Sequence, residues 1–157
     1  MNARELIDRL ALQPHPEGGW YREVHRSRAR VATARGERAA LTTIYYLLEQ
    51  GKVSRWHVVD ADEVWHFHGG AALELLSYHP GSHAFRRFVL AQAAAGVEPV
   101  AVIEAGTWQA ARSLGEHSLV SCSVGPGFEF ADFQLVATLP RHTEHFTGAL
   151  APLTELL

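Results

Sequence analysis

The sequence predicts an all-β sandwich or barrel preceded by one short helix. Three observations predict it. About nine short segments are rich in aromatic and β-branched residues, turn chemistry separates many of them, and no helical pattern alternates with them as βαβ units require. A chain of 157 residues has room for one core of ordinary size, so a single domain over residues 1–157 is expected.

The first twelve residues read as an amphipathic helix. Asn2 can cap it, Glu5 stands three residues later, and Leu6, Leu10 and Ala11 recur at helical spacing. Pro14 and Pro16 end it, because proline lacks the N–H that a helix needs. Strands are then expected over 20–24, 41–48, 53–59, 63–67, 72–78, 85–90, 97–103, 118–124 and 128–137. Glycine and proline mark the turns, at Gly18-Gly19, Gly51, Gly69-Gly70, Pro80-Gly81, Gly96, Gly106, Gly115 and Gly125-Pro126-Gly127. The stretch from Ser27 to Glu37 reads as a mobile loop, and Pro140 to Leu157 as short helices laid over the outside.

Composition narrows the function classes. The formal charge is -3, which gives no electrostatic reason to bind a nucleic-acid polymer or an anionic membrane. Arginines cluster at Arg22, Arg26, Arg28, Arg30, Arg35 and Arg38, but Glu23 and Glu37 interrupt them, so a solvated segment is expected. Cys122 is the only cysteine, which rules out an internal disulfide, and its apolar neighbours make it a buried thiol. No basic-then-apolar leader opens the chain and no apolar run nears the ~20 residues of a membrane span, so a cytoplasmic protein is expected.

The chemistry concentrates between Gly51 and Gly70. If His57 and Glu63 lie on adjacent strands joined by the polar turn at Asp60–Asp62, both side chains point into one barrel. An imidazole facing a carboxylate can ligate a metal, or act as a base with its orienting acid. Alternation sends Trp65 and Phe67 inward with Glu63, and sends Val64, His66 and His68 to the opposite face, where packing or dimer contacts are expected. A carboxylate in an otherwise apolar strand is costly unless paired, which strengthens the case for Glu63.

The order Gly51, His57, Val59, Glu63, Gly70 resembles the first cupin motif, with Val59 where that motif has its second histidine. The second motif is matched less well, and Gln109 stands where its histidine ligand would be. A closer resemblance is to the small cupins of the family called domain of unknown function 985, or cupin-5. It is carried by His15-Pro16-Glu17-Gly18-Gly19-Trp20-Tyr21-Arg22-Glu23, Thr43 to Leu48, Trp56-His57, Asp62 to Phe67, Ala105 to Gln109 and Gly125 to Phe133. The resemblance implies a double-stranded β-helix, or jelly-roll, barrel that forms a homodimer and is similar in build to sugar-nucleotide 3,5-epimerases.

Three functions follow as expectations. In the first, the barrel binds a carbohydrate or nucleotide-linked sugar as an isomerase or epimerase. His57 is the base, Glu63 sets its tautomer, and Tyr46 or Tyr21 returns the proton. Tyr21, Glu23, Arg55, Trp65, Phe67, Trp108 and Gln109 would hold the ligand, with the tryptophans as stacking walls and Glu129 and Asp132 at the border. In the second, a divalent metal (Fe, Mn, Ni or Zn) sits on His57, Glu63 and Gln109 and serves a dioxygenase or isomerase. In the third, the same pocket binds without catalysing.

Overall fold

Asn2 and Glu5 start the chain's one α-helix with reciprocal bonds. The Glu5 amide donates to Asn2 Oδ1 at 2.9 Å and the Asn2 amide donates to the Glu5 carboxylate at 3.0 Å, so two otherwise unpaired donors are satisfied. The computed structural model describes all residues, 1–157, and places α1 at Ala3–Leu10, ending in a left-handed Ala11. Ala3, Leu6 and Ile7 are its buried face and pack on Leu12 and Leu47.

Thirteen strands follow. They are β1 (Gln13–Pro14), β2 (Trp20–Arg26), β3 (Arg30–Thr33), β4 (Gly36–Ala39), β5 (Thr42–Glu49), β6 (Val53–Val59) and β7 (Asp62–Gly70), then β8 (Leu73–His79), β9 (Ala84–Leu90), β10 (Val100–Ile103), β11 (Trp108–Ser113), β12 (His117–Gly125) and β13 (Phe133–Leu135). A six-stranded sheet runs β1-β2-β5-β12-β7-β10 and a five-stranded one β13-β6-β11-β8-β9, with antiparallel pairing throughout. This is the expected all-β, jelly-roll architecture, with the two sheets packed as a sandwich rather than closed into a complete barrel.

The alternation read from sequence holds. Trp65 points between the sheets with Tyr46, Leu48, Leu73, Leu75, Ile103 and Val120, and Phe67 is packed against that cluster. On the far side of the five-stranded sheet, Trp56, Leu76, Tyr78 and Trp108 are covered by Val136, Phe146, Leu150 and Leu156. The covering segment consists of 3-10 turns at Val136–Thr138, His142–His145 and Gly148–Leu156, where Pro152 and Gly148 discourage a regular α-helix.

Four expectations change. Ser27 to Glu37 is mostly the hairpin β3–β4, not a mobile loop, and it is fastened by Arg35 to Asp60 at 2.9 Å and by Arg38 to Asp132 at 2.7 Å. Strand β11 lies outside the segments expected from sequence, because Ala110 and Ala111 have little strand preference of their own and owe their place to full burial. The strand expected from 97 starts only at Val100, after the proline at 99, which has no ladder donor. Of the strand expected over 128–137, only Phe133–Leu135 pairs, since a 3-10 turn at Phe130–Asp132 interrupts it.

Candidate functional site

One end of the space between the sheets is open as a cavity of about 140 Å3. His57 forms part of its wall. Its neighbours Trp56 and Val58 project from the other face of β6, so alternation turns the imidazole inward, 2% exposed. Its Nδ1 lies 2.7 Å from the carbonyl oxygen of Arg55, a bond that only a protonated Nδ1 can make. Nε2 is therefore the nitrogen with the free lone pair. Burial lowers the pKa of the ring, against the opposing pull of the nearby Glu63 carboxylate, and so favours the neutral form.

Nε2 lies 3.3 Å from Oε2 of Glu17, a residue absent from the sequence-derived site. Glu17 arrives on the turn before β2. Gly18 makes that turn possible: its φ is +112° and a Cβ there would lie 2.1 Å from the carbonyl oxygen of Val53. Arg55 pins the same turn, through its backbone N–H to the Glu17 carbonyl at 2.9 Å and its guanidinium to the Pro16 carbonyl at 2.6 Å. Burial raises the Glu17 pKa, opposed by His15 and by the Ser54 hydroxyl, which donates to Oε1 at 2.8 Å. The signal for Glu17 was present, since a carboxylate between Pro16 and Gly18-Gly19 sits on a tight turn with few directions open to its side chain.

Glu63 enters the cavity from β7 and is also buried, 7% exposed. Gln109 donates to its Oε2 at 2.5 Å, while the Gln109 carbonyl oxygen accepts the Trp65 indole N–H at 3.0 Å. Burial raises the Glu63 pKa, with His57 opposing. The tautomer-setting role expected of Glu63 is met by the Arg55 carbonyl, because that oxygen is the atom bonded to Nδ1.

Of the expected ligand holders, Tyr21 and Glu23 line the cavity, as do the expected catalytic residues His57, Glu63 and Tyr46, and Glu129 borders it. Tyr46 donates to the Gly18 carbonyl at 2.7 Å, and burial holds its hydroxyl well above the ordinary tyrosine range. Arg55, Trp65, Phe67, Trp108 and Gln109 do not line it. Arg55 braces the turn, Trp65 and Phe67 belong to the core, and Gln109 bridges Trp65 to Glu63. Trp108 lies on the opposite face of its strand, stacked on Phe146 at 6.3 Å. Asp132 is taken up by Arg38. The aromatic wall comes instead from Tyr21, Phe128, Phe130, Phe133 and His15.

The metal set His57, Glu63 and Gln109 does not fit this geometry. The amide of Gln109 is engaged at both ends, Val59 offers no donor, and no three His, Cys, Asp or Glu side chains converge as ligands.

The family model described as "Cupin superfamily (DUF985)" matches residues 4–136. The chain belongs to that family. This cupin is similar to two solved structures over nearly its whole length. One is a hypothetical protein from Leishmania major, 31% identical, with a TM-score of 0.87 over 99% of this chain and 98% of the other. The second is a protein from Shewanella oneidensis, 33% identical, with a TM-score of 0.85 over 99% and 97%. More distantly, an oxalate decarboxylase mutant from Bacillus subtilis shares the fold, at 14% identity and a TM-score of 0.59 over 93% of this chain and 37% of that one. No curated protein matches the chain. No helix is long and apolar enough to cross a membrane.

Proposed function

We propose that this cupin, acting as one domain over residues 1–157, binds a carbohydrate-sized hydroxylated molecule in the cavity and moves a proton on it. The reaction class is isomerisation or epimerisation. The observation that carries the reading is the environment of His57: an imidazole with its Nδ1 tied to a backbone carbonyl and its Nε2 at the cavity wall beside Glu17.

In this reading Nε2 takes the proton from a carbon next to a carbonyl of the ligand; the electron pair of that C–H bond becomes a C=C bond, and the carbonyl π pair moves onto the oxygen. Glu17, 3.3 Å from Nε2 and with its pKa raised by burial, stands beside the ring that takes up the proton. Tyr21, on the cavity wall, returns a proton to the carbon. Tyr46 is less suited to that task, because its proton is already given to Gly18.

Incubation with aldoses and ketoses in deuterium oxide tests this. Deuterium should enter the carbon-bound position with the wild type and not with His57→Ala. A ligand that raises the thermal midpoint of both proteins equally would remove His57 from the site. Binding without exchange would leave a non-catalytic binding module. A metal-assisted reaction at His57 and Glu63 would require a further donor in place of Gln109, and stoichiometric Fe, Mn, Ni or Zn in chelator-free protein would call for it.

The same reading includes a homodimer. Two rows of side chains cross the outer face of the six-stranded sheet, Tyr45-Ser121-His66-Val100 and Thr43-Ser123-Val64-Val102, and no other part of the chain covers Val100 or Val102, which are 41% and 53% exposed. A second copy of the chain on this face would cover them and the free edge of β10.

A further inference from the structure

The cavity contains no free positive charge. Arg26 is the only arginine or lysine in its lining, and it is bound on both sides, to Glu23 at 2.8 Å and to Glu129 at 2.8 Å. The mouth therefore carries two carboxylates against one guanidinium. Deeper in, Glu17 and Glu63 are 6% and 7% exposed, and neither is ion-paired to an arginine or lysine. The two imidazoles beside them, His15 and His57, are held towards the neutral form chiefly by burial. Two buried carboxyl groups with no ion-paired cation, and only the more distant Arg55 behind Glu17, are costly in the empty protein, and a cation brought by the ligand would offset that cost.

The wall around these groups is aromatic. Phe128, Phe130 and Phe133 lie 5.0 to 6.3 Å from one another, ring centre to ring centre, and His15 lies 5.9 Å from Phe130. Aromatic rings and carboxyl groups lining one cavity are surroundings that favour an organic ammonium group. A phosphate would meet the carboxylates with no partner, so a nucleotide-linked sugar is electrostatically mismatched here.

We infer that the ligand of this cavity is a hydroxylated amine about the size of one sugar ring, with its ammonium group directed to Glu63 and the aromatic wall, and that phosphorylated and nucleotide-linked forms are rejected. The inference rests on the proposed carbohydrate-sized site and adds its charge class.

Calorimetric titration with glucosamine, glucose and glucose 6-phosphate tests it, since the three share one ring and differ in charge. Glucosamine should bind about tenfold more tightly than glucose, and glucose 6-phosphate should not bind. The preference for glucosamine should shrink in Glu63→Gln and, separately, in Glu129→Gln, a surface change that leaves the core intact. Equal binding of glucosamine and glucose, or tighter binding of the phosphate, overturns the charge class and leaves the carbohydrate site standing. No binding by any of the three overturns both. A response to manganese or zinc chloride alone, lost in Glu63→Gln, overturns the amine in favour of an inorganic cation.

Discussion

Nε2 of His57 and Oε2 of Glu17 lie 3.3 Å apart, both on side chains almost wholly withdrawn from water. Two residues 40 positions apart in a 157-residue chain meet because the turn at Gly18 and the brace from Arg55 fold the segment before β2 onto β6. Burial shifts the pKa of both groups, so the pair bears on how stability depends on pH.

Burial raises the pKa of Glu17 and of Glu63 above the ordinary value of 4.5. The folded state then holds these protons more tightly than the unfolded state. Their stabilising contribution is complete below about 4.5 and is lost as pH rises through the folded values. His15 and His57 work the other way, since burial lowers them from 6.5, and their contribution is present above that value and lost as pH falls through the lowered ones. The Glu17→Gln, Glu63→Gln double variant should therefore be more stable than the wild type at pH 7, by an amount that shrinks towards pH 4. Urea unfolding from pH 4 to 8 checks this, and a difference independent of pH would refute the raised values.

Gly18→Ala should be far more damaging than Gly106→Ala, although both glycines have positive φ. A Cβ at Gly18 meets the Val53 carbonyl oxygen at 2.1 Å, whereas one at Gly106 meets nothing within 4 Å. Backbone strain alone costs about 1–3 kcal/mol, so Gly106→Ala should lower the thermal midpoint by only a few degrees. Gly18→Ala adds a backbone collision and displaces Glu17, so it should lower the midpoint further and abolish ligand binding. Equal midpoints for the two variants would mean that the turn gives way at little cost.

Much of this was legible in the sequence, and the remainder has a physical reason. Asn2 with Glu5 signalled the helix, and alternation around Glu63 placed Trp65 inside and His66 outside, because these are local patterns. The His57–Glu63 region was found because its spacing is local too. Glu17 was missed as a site residue because its meeting with His57 depends on a pairing between distant segments that no local spacing reports. Trp108 was misplaced because its large apolar ring suits a cavity wall and a packed sheet face equally well. Only the C-terminal 3-10 turns over its strand decide between them.

Gln109 joins core and cavity, and replacing it separates the two roles. Gln109→Leu would leave the Trp65 indole N–H without its acceptor and Glu63 without its donor, both buried. Each unsatisfied buried group costs about 1–3 kcal/mol, so a loss of about 2–5 kcal/mol is expected in denaturant titration. Gln109→Glu keeps the acceptor for Trp65 and sets a second carboxyl against Glu63, so its loss should be smaller at pH 5 than at pH 8. A Gln109→Leu protein as stable as the wild type would show that the bridge contributes nothing.

The outer face of the six-stranded sheet offers the last prediction. Val102 is more exposed than Val100, and both lie on β10, the edge strand beside β7. An exposed apolar edge strand is a liability for a monomer, and a second copy of the chain would remove it. If that face joins two copies, the wild type should elute at twice the mass of 17.3 kDa in light scattering, and Val102→Glu should shift it towards the monomer. Burying two unpaired carboxylates across a twofold axis would cost several kcal/mol, enough to move the dissociation constant by about a hundredfold or more. Arg141→Glu, an exposed residue at the start of the His142–His145 turn over the far side of the five-stranded sheet, should leave the mass unchanged. A Val102→Glu protein that remains dimeric would place the interface on another face, and a monomeric wild type would remove the dimer altogether.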